Sequence, residues 1–215
     1  MEDTELRQHV IDELNFEPSI DAANVGVAVE DGIVTLTGHV ASYAEKIIAE
    51  RAVQRIKGVR GIAQEIEVRF SSEKKTADDQ IAKRALDILA WYTTVPDGAI
   101  QVKVEGGWVT LTGNVDWQFQ RISAAKAVRK LSGVRGINNL IEVTPKVLAA
   151  DIKNSIETAL KRSAEVEVNG IQVQVDGSKV VLDGRVRSWF EREAAERAAW
   201  AVPGVTAVKD YLAVD

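Results

Sequence analysis

The sequence predicts an α+β protein of three tandem αββαβ domains, each a three-stranded mixed sheet with two helices on one face. Three observations predict it. First, short strings recur. Leu36-Thr37-Gly38, Leu111-Thr112-Gly113 and Leu182-Asp183-Gly184 are one element, and Gly58-Val59, Gly133-Val134 and Gly204-Val205 are another. Both step by 75 and then by 71 residues, the mark of a repeated structural unit. Second, each unit contains strictly alternating valines. Third, each contains two apolar stripes with helical spacing. The boundaries are read as 1–70, 76–144 and 147–215. A unit of about 70 residues buries only roughly 60% of its unfolded surface and is marginal alone, so mutual cover between units is expected.

The first helix of each unit rests on Leu6, Val10, Ile11 and Leu14, then Ile81, Ala85, Leu86 and Leu89, then Ile152, Ile156 and Leu160. These follow one helix face. Thr4 is the expected cap of the first, and Asp78 or Asp79 of the second. A half-buried strand follows in each unit: Val25, Val27, Val29; Ile100, Val102, Val104; Ile171, Val173, Val175. Asp31-Gly32, Gly106-Gly107 and Gly177-Ser178 suit two-residue hairpin turns, where positive φ is needed. The return strand is expected to end at Gly38, Gly113 or Gly184. Ser42-x-x-Glu45 and Ser188-x-x-Glu191 are capping boxes for the second helix, and Asp116 can serve in the middle unit. That helix has an alanine-rich face, such as Ala49, Ala52 and Val53, and stops at Gly58, Gly133 or Gly204. A last strand carries Ile66 and Val68, Ile141 and Val143, or Leu212 and Val214. The first linker, residues 71–76, is polar and flexible. The second, Thr144-Pro145-Lys146, is tighter, which predicts a closer join between the last two units.

Charge separates the copies. The chain carries −5 overall, which argues against a general nucleic-acid binder. Residues 1–70 hold 13 acids and 7 bases, residues 71–146 hold 8 and 11, and residues 147–215 hold 11 and 9. Only the middle unit is basic. There is no cysteine, so neither a disulfide nor a thiolate site exists. Met1-Glu2-Asp3-Thr4 lacks the basic and apolar regions of a secretory signal, so the chain as given is expected to be cytoplasmic, or periplasmic if a leader has been removed. No apolar run approaches the roughly 20 residues of a membrane-spanning helix.

The hairpin strings from Asp31 to Val40, Gly107 to Val115 and Ser178 to Val186, each followed by a helix, a Gly-Val and a valine-rich strand, resemble the BON domain, a bacterial module of osmotic-stress and envelope proteins. The resemblance covers nearly the whole chain. It implies a non-enzymatic binding role, with anionic phospholipid surfaces or envelope-associated partners first. It implies two alternatives: a cytosolic potassium-binding, ion-responsive protein, in which backbone carbonyls of the glycine turns would hold the ion, and a chaperone-like holdase or scaffold. No other cofactor is expected.

The residues themselves offer no catalytic set. His9 and His39 are the only histidines, and no metal-ligand spacing accompanies them. Gly58-Val59-Arg60-Gly61 and Gly133-Val134-Arg135-Gly136 match the GxxG of an RNA-binding loop that joins two helices. Here the string joins a helix to a strand, and helix capping explains its first glycine. The differing residues are the better lead. The middle unit carries Trp91, Tyr92, Trp108, Trp117 and Phe119 along with its excess of bases. Trp108 and Trp117, with Lys103, Arg121, Arg129, Lys130 and Arg135, are the candidates for a lipid or other anionic partner. Lys83 and Arg84 extend that set. Alternation puts Trp108 on the sheet face away from the helices. Packing against a neighbouring unit is the expectation for it, and a membrane interface is the alternative.

Overall fold

A computed structural model describes residues 2–70, 76–145, 151–163 and 170–214. Residues 71–75 of the first linker and 146 of the second lie outside these residues. The repeats have the same element order. In the first, α1 (Asp3–Phe16) is followed by a short 3-10 turn, β1 (Val25–Glu30), β2 (Ile33–Val40) and α2 (Tyr43–Gln54). Its last strand is in two pieces, β3 (Gly61–Gln64) and β4 (Glu67–Val68). The second has α3 (Asp78–Trp91), β5 (Ile100–Glu105), β6 (Trp108–Val115), α4 (Gln118–Arg129) and β7 (Gly136–Val143). The third has α5 (Ile152–Arg162), β8 (Ile171–Asp176), β9 (Lys179–Val186), α6 (Trp189–Trp200) and β10 (Ala207–Val214).

The hairpin's second strand is the centre of each sheet. β1 pairs with β2 antiparallel, and β3 and β4 pair with its other edge in parallel. β8, β9 and β10 repeat this in the third domain, and the middle sheet has the order β5-β6-β7. The sheets are therefore mixed. In the third repeat, Ile156 and Leu160 of α5, Val180, Leu182 and Val186 of β9, and Ala195 and Ala199 of α6 form one buried cluster. The equivalent residues are buried in the other two repeats. One sheet face lies under both helices, and alanine on the second helix lets its backbone approach closely. By contact density the chain forms two compact units. Met1–Gly113 with Gln120–Ile141 holds the first repeat and most of the second, and Asn114–Phe119 with Glu142–Asp215 holds the third.

Local chemistry accounts for the turns. Asp31 and Gly32 have φ of 50° and 75°, and Gly106 and Gly107 have 58° and 82°. The two capping boxes form: the Glu45 amide donates to Ser42 Oγ, and the Glu191 amide to Ser188 Oγ. The glutamates in turn accept from the Ala41 and Arg187 amides. Gly58, Gly133 and Gly204 all have φ above 90°, as helix-stopping residues require.

Three expectations are corrected. Thr4 caps nothing: the cap position is Glu2, which makes no side-chain cap bond. Asp3 and Asp78, each the first residue of its helix, instead grip the hairpin turn. Asp3 accepts from the Asp31 and Gly32 amides, and Asp78 from Gly106 and Gly107 at 2.7 and 2.9 Å. The return strands do not end at Gly38, Gly113 and Gly184 but run two residues further. These glycines have φ of 97°, 129° and 131°, and a Cβ on any of them would strike the carbonyl oxygen of Asn24, Ala99 or Gly170. Leu86, placed on the core face of α3, is 50% exposed, because the stripe of Ile81, Ala85 and Leu89 already fills the space beneath the helix.

Candidate functional site

Trp108 begins β6 on the outer sheet face and is 51% exposed. The covered part of its ring lies on Gly136, the first residue of β7, where a Cβ would overlap the indole. Part of its cover thus comes from its own sheet. The first repeat has Ile33 over Gly61 at this place, with room for a Cβ at 3.6 Å.

The predicted bases do not converge. Lys103 is exposed on the outer face but pairs with Glu105 at 3.0 Å. Arg121 is tied down inside its repeat. Its guanidinium donates to the Asn139 carbonyl at 3.2 Å, while its own carbonyl accepts from Asn139 Nδ2 at 3.0 Å. Arg129 lies half-buried against Tyr43 of the first repeat, and its Nε is buried with no hydrogen-bond partner. Burial, then the nearby Arg51 cation, lower its pKa, and burial raises that of Tyr43. Arg135 is exposed, with its guanidinium 5.7 Å from the centroid of Phe70. It lines an open cleft of about 560 Å³ with Phe70, Thr76, Asp78 and the turn glycines. Asp78 in that cleft is already occupied by the turn amides. Lys130 is exposed and Trp117 partly buried. Of the seven residues chosen from sequence, only Lys130 and Arg135 offer a cation to solvent with no carboxylate paired to it among the described residues.

A tighter constellation lies on α3. Lys83 and Arg84 are exposed in the middle of the helix, Leu86 is 50% exposed, and Trp91 at its end is 85% exposed. Tyr92 follows at 40%. Arg84 and Trp91, seven residues apart, share one side of the outward face, Lys83 and Leu86, three apart, share the other, and exposed Asp87 lies between them. Bases and bare apolar groups therefore share a surface. The sequence had shown Trp91 and Tyr92 as helix-end aromatics and Lys83 and Arg84 as bases. Leu86 was hidden, because its spacing fits the core stripe. The same end of α1 is tied electrostatically: Arg55 pairs with Glu13 at 2.9 Å and Glu17 at 3.4 Å. Hydrogen bonds from Ser19, then Arg55, hold the Glu17 carboxyl below its usual range.

Among the described residues no group of three or more His, Asp or Glu side chains is placed to hold a metal. No helix among them is long and apolar enough to cross a membrane.

The BON domain profile matches the chain three times, over residues 2–69, 77–145 and 149–215. The osmotically inducible protein Y of Escherichia coli K12 is 25% identical over 148 residues, covering 65% of this chain and 71% of that protein. Two solved structures of CdsD, a structural protein of the type III secretion system of Chlamydia trachomatis, also match. The C-terminal domain is 14% identical over all of both chains with a TM-score of 0.28. The other is 15% identical over 98% of this chain and 92% of that one, at 0.27. Scores this low leave these two likenesses without weight.

Proposed function

Since the chain belongs to the BON domain family, we propose that it is a non-enzymatic protein of the osmotic-stress type that associates with anionic phospholipid surfaces. Its three modules are binding scaffolds, and the α3 flank of the middle repeat is the contacting surface. One observation carries this reading: Leu86, Trp91 and Tyr92 are bare beside Lys83 and Arg84, on the only repeat with a positive charge balance. Tryptophan and tyrosine favour the membrane interface, where an apolar ring and a polar edge are both accommodated. Each cation near an anionic leaflet adds about 1 kcal/mol, so Lys83 and Arg84 give a weak, salt-sensitive attraction that the apolar residues reinforce.

Vesicle co-sedimentation tests it. The full chain is expected to sediment with phosphatidylglycerol vesicles at low salt, less so at high salt, and not with phosphatidylcholine vesicles. Equal binding to both lipids, or none to either, rejects the reading. The relative named after osmotic induction supports a role under osmotic stress.

A further inference from the structure

One polar device recurs in all three repeats, at equivalent positions but with different residues. The last strand of each sheet is an edge strand. In the first repeat the Glu65 amide donates inward to the Leu36 carbonyl, so the groups of residues 64 and 66 point away, toward the free edge. Side chains engage those outward groups. Gln64 Oε1 accepts from the Ile66 amide at 3.3 Å, and Lys46 Nζ donates to the Ile66 carbonyl at 2.6 Å. In the second, Asn139 Oδ1 accepts from the Ile141 amide at 3.4 Å while Arg121 donates to the Asn139 carbonyl. In the third, Asp210 Oδ1 accepts from the Leu212 amide at 2.9 Å. There Arg192 Nε donates to Asp210 Oδ2 at 2.7 Å, and the guanidinium also lies 5.2 Å from the Trp189 ring centroid.

We propose that this cation and polar side chain form an edge lock, which keeps the last strand from adding a strand of a second copy of the chain. An open edge with free amides and carbonyls is a template for pairing. The hazard is greatest at β10, whose eight residues run in unbroken register and carry Ala207, Val208, Leu212, Ala213 and Val214. Every copy presents the same edge, so two copies are complementary about a two-fold axis. The lock fills the middle of that edge. The Leu212 amide is bonded, Arg192 Nη2 lies 3.5 Å from the Asp210 carbonyl, and a salt bridge, 27% and 15% exposed on its two sides, stands where a partner strand would have to lie. The three versions, Gln with Lys, Asn with Arg and Asp with Arg, recur while the residue types vary, and at β7 the Ile137 backbone is also bonded to Tyr43 of the first repeat. The first is the least complete, since Gln64 Nε2 is buried without a partner, and there the strand is also broken into two short pieces.

The test compares two single variants of the full chain by sedimentation velocity over a concentration series. Asp210→Ala removes the lock. Asp210→Asn installs the version found in the second repeat. The lock predicts that D210A self-associates with a constant raised at least about tenfold over wild type, while D210N sediments like wild type. A folded D210A that sediments like wild type overturns the proposal, as does equal association of both variants. If D210A loses its circular dichroism spectrum, hydrogen exchange decides. The Leu212 amide of wild type and D210N is expected to be protected, and exchange at the rate of an open edge in wild type contradicts the lock.

Discussion

The first helices of the first and middle repeats are the same object with opposite surroundings. α1 ends in Phe16, 83% exposed, and α3 ends in Trp91, 85% exposed, at equivalent positions. Both bury the same three-residue stripe. Yet α1 carries Gln8 and His9 where α3 carries Lys83 and Arg84, and Glu17 stands where α3 continues into Tyr92. The fold therefore offers a bare aromatic at this corner in both repeats. Net charge separates the two corners: Glu13 and Glu17 share one cation, Arg55, and leave the Phe16 corner acidic, whereas Lys83 and Arg84 outnumber the exposed Asp87 near Trp91.

Substitutions can break this contrast or sharpen it. The largest effect is expected for Leu86→Ala with Trp91→Ala, which strips the apolar flank. Losing part of an aromatic and a leucine from a membrane interface costs on the order of 2–3 kcal/mol, read as vesicle affinity weakened roughly 30- to 150-fold. Both residues are exposed, so the melting temperature should stay near wild type. Next comes Lys83→Gln with Arg84→His, which gives α3 the residues of α1. About 2 kcal/mol is lost at low salt, and the difference from wild type should close as salt is raised. The reverse exchange, Gln8→Lys with His9→Arg, should strengthen binding by a smaller step, because Glu13 and Glu17 remain.

A stability effect separates the same two repeats. Gly136→Ala should cost about 1–2 kcal/mol in a thermal melt, because the Trp108 ring must leave its seat. Gly61→Ala, with room beside Ile33, should be close to neutral. The smallest effect on vesicle binding, below about 0.5 kcal/mol, belongs to Phe16→Ala, an exposed aromatic on the acidic repeat. A large loss there would mean that the bare ring alone, without the cations, drives association.

Much of this was legible in the sequence because it rests on local rules. The hairpin turns at Asp31-Gly32 and Gly106-Gly107, the capping boxes at Ser42 and Ser188 and the alternating valines each follow from backbone geometry within a few residues. The element order followed from reading them three times. Surface roles were less legible. Leu86 has the spacing of a core residue, and only the packed helix shows that Ile81, Ala85 and Leu89 leave it no room. Arg121 and Arg129 look like free cations until the sheet brings Asn139 to the one and the first repeat brings Tyr43 to the other. The edge lock was invisible because its residues change type between copies. Lys46, Arg121 and Arg192 align by the repeat step, but only the folded sheet shows what each one reaches. Asp78 looks like a cap because it begins a helix, but its carboxylate, like that of Asp3, turns toward the hairpin 28 residues on.

The chain has no cysteine, so one introduced thiol reports from one place. Ala90 and Asn15 occupy equivalent exposed positions beside Trp91 and Phe16. An environment-sensitive fluorophore on Ala90→Cys and on Asn15→Cys, titrated with phosphatidylglycerol vesicles, compares the two corners directly. The account predicts a blue-shifted, brighter emission at position 90 that salt reverses, with little change at position 15. The same response at both positions, or none at position 90, would contradict it.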